Sequence, residues 1–86
     1  MLVREIPAPL VDILWDDADA TNEWENEVNE EEALVHTVGF LVKENKASYY
    51  ISHTCYTDDE GTLHWNSKIR IPKGMVKFFK VLVKAS

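Results

Sequence analysis

Tyr50, Ser52, Thr54 and Tyr56 fall on alternate positions, and so do His64, Asn66, Lys68 and Arg70 a short way further on. In strand conformation each set points to one side of a sheet. With Ile51, Ile69 and Ile71 turned inward, the two sets share an outward surface. Lys68 and Arg70 there offer charge-assisted hydrogen bonds to phosphate, Tyr50 and Tyr56 offer flat rings for a base, His64 joins them, and Lys73 stands at the rim after Pro72. These are the ingredients of a nucleotide-binding surface. The same pattern also describes a solvated strand face with ordinary Tyr–Lys packing.

Other chemistries find less support. Gly39, Gly61 and Gly74 are isolated from one another, so there is no glycine-rich phosphate loop, dinucleotide fingerprint or nucleophile elbow. The carboxylates of residues 16–32 lie in a polar stretch where nothing would raise their pKa values into a catalytic range. His53 and Cys55 share a face of one strand and His64 lies on the next, but a structural zinc takes four ligands and the chain has one thiolate. They read as a small packed Cys and two surface histidines. His36 reads as part of a strand. The expectation is a non-enzymatic binding protein without catalytic residues, metal or cofactor.

The elements that must position this surface follow from composition. The chain has 86 residues, 45% of them hydrophobic and 28% charged. A chain of this length buries roughly 60–65% of its unfolded surface, enough for one small core, so residues 1–86 are read as one domain. The apolar runs are far shorter than the ~20 residues of a membrane span, and no leader pattern is evident, so a cytoplasmic protein is expected. Cys55 has no partner for an internal disulfide. The net charge of −6 is unevenly divided: residues 1–42 hold eleven acids against Arg4, and residues 43–86 hold eight bases against four acids. That sign disfavours bulk nucleic acid and leaves room for a local basic patch, or for an acidic face that fits a basic protein groove.

Val11, Ile13 and Trp15 alternate after Pro7 and Pro9 and read as a first strand. Residues 16–33 form an acidic helix or loop: Asn22 and Glu25 have capping-box spacing and Trp24 and Val28 share a helical face, while like-charge pairs such as Glu23/Glu27 weaken it. Strands follow at 34–43, 48–56 and 63–71, then a one-turn helix after Pro72 and a last strand at 75–83. This order predicts a mainly β fold, a small SH3-like or Sm-like five-stranded barrel, with an α+β sheet carrying one helix across a face as the alternative. The body at 34–83 is expected to supply the core, with Phe40 and Ile71 inward and Trp15 joining from the first strand. In the last strand Phe79, Val81 and Val83 alternate with Val76, Phe78 and Leu82, so both sides are apolar. Trp24 or a second subunit must cover one side, which points to a homo-oligomer with Trp24, Val76, Phe78 and Leu82 at partner contacts.

Taken together, Trp15, Asp16, Trp24, the stretch VGFLVKE at 38–44, YYIS at 49–52 and IPKGMV at 71–76 resemble a group of small uncharacterised proteins of tailed bacteriophages. The resemblance covers roughly residues 11–83, and the chain departs from it in its heavier acidic loading between Glu23 and Glu32. It implies a phage origin and an accessory or counter-defence role in the host bacterial cytoplasm. The expected function is therefore sequestration of a nucleotide-type defence signal by a homo-oligomer. The alternative is an acidic protein-interaction module or nucleic-acid mimic that blocks a host protein through residues 16–32. A structural protein of the virion is a third class.

Overall fold

In a computed structural model, residues 5–17 and 34–86 are described. The expected acidic helix or loop, and Trp24 with it, lies outside the described residues from position 18 to 33. The protein is mainly β. Five antiparallel strands, β1 (Leu10–Asp16), β2 (Leu34–Glu44), β3 (Ser48–Thr57), β4 (Leu63–Pro72) and β5 (Val76–Val83), form one sheet in the order β4-β3-β2-β1-β5. A 3₁₀ turn, Lys73–Met75, joins the last two. The sheet is open: among the described residues β4 and β5 stand at its two edges and do not pair with each other.

Turn chemistry explains the two hairpins. Asn45 Oδ1 accepts hydrogen bonds from the backbone N–H of Ala47 at 2.9 Å and of Ser48 at 2.8 Å, which folds the chain back between β2 and β3. Asp58 does the same between β3 and β4. Its Oδ1 accepts from the N–H groups of Glu60 and Thr62, both at 2.9 Å, and Gly61 supplies the positive φ of 84° that the tight turn requires.

The core lies on one face. Val11, Ile13 and Trp15 alternate along β1 and are buried with Ile51 and Ile71, while Val35, Leu41, Tyr49, Ile69, Val76 and Phe79 pack around them. Strand β1 has neighbours on both sides, so it contributes three of the five buried residues; the core is centred on it, not on the body at 34–83 alone. Trp15 Nε1 donates to Thr37 Oγ1 at 3.0 Å, which satisfies the one polar atom the indole brings inside. Phe40, expected inward, lies on the opposite face. Gly39 and Leu41 take the inward positions of β2, and Phe40 stands beside Ser52 across the strand and against the ring of Trp65.

Strand β5 also departs from simple alternation. A register shift lies between Leu14 and Trp15, so that Val76 meets Trp15 while Phe78 meets Leu14. Val76 therefore packs on the core and is separated from Phe78 and Leu82, with which strict alternation had grouped it. Phe78, Val81, Leu82 and Val83 remain 42–48% exposed along this edge strand.

Gly39 sets the closeness of β2 and β3. A Cβ at this position would lie 2.5 Å from Ile51 Cγ2 and 3.0 Å from the Ser52 carbonyl oxygen, and the backbone atom has no room to withdraw. Replacing Gly39 by Ala should destabilise the protein by about 1–3 kcal/mol through overpacking, and Ile71→Ala by about 2–5 kcal/mol through a cavity. Urea denaturation checks both, and losses under about half a kcal/mol at both sites would mean that the inward face is wrongly assigned.

Candidate functional site

On the face opposite the core, Val42, Lys43, Tyr50, Trp65 and Lys68 line a cavity of about 370 Å³. Strands β2, β3 and β4 each contribute to it, and two departures from regular pairing decide which residues they contribute. In β2 a bulge between Leu41 and Lys43 leaves Val42 as an extra residue, so that Leu41 faces Ile51 and Lys43 faces Tyr50. Without that extra residue Lys43 would share the side of Leu41. In β4, Ser67 adopts a left-handed φ of 55°. Alternation is broken there, and Trp65 lines the same cavity as Lys68 although it lies at an odd offset in the strand from Tyr50's register partner Arg70.

Ser52 secures the distorted place. It is fully buried, and its hydroxyl lies against the carbonyl oxygens of Asn66 and, at 3.0 Å, Thr54. One hydroxyl proton thus serves backbone acceptors beside the left-handed residue, where the ladder is bent. Phe40 braces the indole of Trp65, with ring centroids 5.5 Å apart and planes inclined by 51°. Lys43 Nζ stands 5.3 Å from the Tyr50 ring centroid, so the cavity holds a cation over one ring and a second ring beside it.

Of the residues expected at the ligand surface, Tyr50 and Lys68 line this cavity. Arg70 is the register partner of Tyr50 on the exposed edge strand and stands next to the cavity without lining it. Tyr56 and His64 are elsewhere: they stack on each other at the far end of the hairpin, centroids 4.8 Å apart and planes 15° apart. Six positions of strand separate Tyr56 from Tyr50, roughly 20 Å at ~3.4 Å per residue. Lys73 is also elsewhere. Its Nζ donates to Glu44 Oε2 at 2.6 Å and stands 4.9 Å from the ring of Tyr49, which stacks on Phe79 at the core side. A 3₁₀ turn after Pro72 carries Lys73 around the edge, and the nearest carboxylate captures it.

Lys43, Val42 and Trp65 were missed because strict alternation places Lys43 with Leu41 and Trp65 with Ile69. The signal for Trp65 was its size: a tryptophan in a strand too polar to bury it invites a search for a partner such as Phe40.

Two histidines acquire carboxylate partners. His36 pairs with Asp12 across β1 and β2, and His64 Nε2 lies 2.8 Å from Asp58 Oδ2. Among the described residues no three His, Cys, Asp or Glu side chains gather closely enough to hold a metal ion, and no helix is long and apolar enough to cross a membrane. Cys55 is a free thiol, partly buried. Comparison of the chain with protein-family models, curated proteins and solved structures finds no match.

The hydrogen bond from His64, helped by the backbone N–H groups of Thr62, Glu60 and Gly61, holds the Asp58 carboxyl below its ordinary value of 3.8. A carboxylate depressed in the folded state stabilises the turn above the unfolded value and loses that contribution as pH falls through its folded value. A carbon-detected NMR titration should place the Asp58 midpoint below 3.8, and His64→Ala should move it upward. A midpoint unchanged by that substitution would remove His64 as the principal cause.

Proposed function

We propose that the protein is a non-enzymatic binding protein that sequesters a nucleotide-type signalling molecule in the cavity between β2, β3 and β4. The observation that carries this reading is that two lysines, Lys43 and Lys68, line one cavity together with Tyr50 and Trp65. Ammonium groups attract phosphate, and an aromatic ring accepts the face of any base. The lining residues bind and orient; they form no nucleophile–base pair that would turn the ligand over.

The resemblance to small tailed-phage proteins supports the biological setting of this reading, a counter-defence factor in the cytoplasm of the host bacterium. The sheet is taken as a small SH3-like or Sm-like barrel. Its bulge at Val42, the register shifts between β1 and β5 and the left-handed Ser67 supply the local bends that curl a short five-stranded sheet. A competing reading, an acidic module that blocks a host protein, rests on the eleven acids of residues 1–42. Charge separates the two: reversing Lys43 and Lys68 abolishes sequestration, and neutralising the acids between 23 and 32 abolishes mimicry.

Calorimetric titration with a panel of cyclic and linear nucleotides should show binding at tens of micromolar or tighter, weakened in high salt because exposed cations are screened, with the ligand recovered intact. Absence of binding across the panel, together with full biological activity after charge reversal at Lys43 and Lys68, would overturn the reading in favour of the acidic face.

The exposed apolar side chains of β5 support a homo-oligomer, since Phe78, Val81, Leu82 and Val83 lie along one edge strand. Sedimentation at micromolar concentration should show a dimer or larger species, dissociated by Phe78→Lys with Leu82→Lys. A monodisperse monomer would remove assembly from the account.

A further inference from the structure

Resting on that reading, we propose that the cavity takes one nucleotide unit at a time, its base laid on Trp65 and its phosphate held between Lys43 and Lys68, with purines preferred over pyrimidines. The two rings of the cavity are not equivalent. Tyr50 already has a cation of its own chain above it, Lys43 Nζ at 5.3 Å from its centroid, and an incoming base would have to displace that contact. Trp65 is braced by Phe40, at 5.5 Å between centroids, and still lines the cavity, so its indole is the ring offered to a ligand. It is also the larger π surface.

The cations are arranged around Tyr50. Lys43 is its register partner on β2, and Lys68 stands on β4 opposite Ser52, two positions along the same strand as Tyr50. The two strands flank β3 at roughly 10 Å from each other, a span that two long flexible ammonium side chains close around one phosphate. That places the anion over the Tyr50 side of the cavity and the base toward Trp65.

Size and lining then limit what else is recognised. A volume of about 370 Å³ is near the lower end of the roughly 300–1,000 Å³ of small-molecule sites, which suits a single unit and not a dinucleotide enclosed whole. The one remaining lining residue, Val42, is apolar, and the neutral polar atoms of the lining are the Tyr50 hydroxyl, which accepts from Asn45 Nδ2 at 3.5 Å, and the Trp65 indole N–H; no amide, carboxyl or small hydroxyl side chain of the lining reads the edge of the base. Discrimination among bases then follows stacking area, as in sequence-tolerant single-strand binders.

The test uses the full chain and four probes: AMP, UMP, ribose 5-phosphate and inorganic phosphate, each titrated by calorimetry and by tryptophan fluorescence. AMP should bind more tightly than UMP and UMP more tightly than ribose 5-phosphate, and AMP should quench emission. Trp65→Leu should weaken AMP roughly tenfold, the loss of one base stack, and change ribose 5-phosphate less than about twofold. Trp65→Phe, which keeps a ring against Phe40 and preserves the fold should the leucine variant not, should weaken AMP severalfold and abolish most of the quenching. Lys43→Gln and Lys68→Gln should weaken AMP and ribose 5-phosphate alike. Equal affinities for AMP and ribose 5-phosphate, or an unchanged AMP affinity in Trp65→Phe with quenching retained, would overturn the placement of the base while leaving an anion site. Failure of all four probes to bind would overturn the nucleotide reading itself.

Discussion

Ile51 lying over the bare Cα of Gly39 is the contact on which the remaining arrangement depends. It brings β2 and β3 close enough for the core side to be sealed by an isoleucine with no exposed surface. Because successive residues of a strand point to opposite sides, burying Ile51 also fixes where Tyr50 and Ser52 point. A slip of one residue would carry Tyr50 into the core and Ile51 into water, so a packing contact on one face specifies which side chains line the cavity on the other.

From that fixed point the site is built by irregularity. Regular pairing alone would leave Tyr50 and Lys68 on a flat, solvated strand surface. The extra residue Val42 turns Lys43 toward Tyr50, and the left-handed Ser67 lets Trp65 reach the same cavity. Each departure has local compensation: Leu41 still packs on the core after the bulge, and the Ser52 hydroxyl reaches the Asn66 carbonyl beside the bent residue. Bulges and strained residues are placed where a side chain must be re-aimed, and here two of them re-aim a cation and an aromatic ring into one concavity.

The charges are sorted by the same architecture. Lys73 and His64, which look in the sequence like members of one cationic surface, are captured by Glu44 and Asp58 and hold the two ends of the β-hairpins in place. Lys43 and Lys68 stay at the cavity. Lys73 and His64 therefore tie turns, whereas Lys43 and Lys68 line the concavity. At the other side of the sheet, β1 carries three of the five residues of the buried cluster while β5 holds an edge with apolar side chains exposed, as a small sheet does when it lacks enough chain to cover both edges.

The sequence by itself determined the β character, the strand order along the chain, the two hairpin turns, the 3₁₀ turn and the alternation of β1, because all of these rest on short-range rules: period-2 patterning, Asn and Asp turn chemistry, and the fixed φ of proline. It also put Tyr50 and Ser52 on one face with Lys68 and Arg70, whose register, Tyr50 opposite Arg70 and Ser52 opposite Lys68, the structure supplies. The tertiary structure alone decided that Phe40 faces away from the core, that Val76 joins it, that Lys73 leaves the cationic face and that Lys43 and Trp65 enter the cavity. The outcomes for Lys43, Val76 and Trp65 depend on a bulge, a register shift and one left-handed residue. Each shifts the alternation by one, and each is set by contacts between strands distant in sequence, where a pattern read along a single strand carries no information.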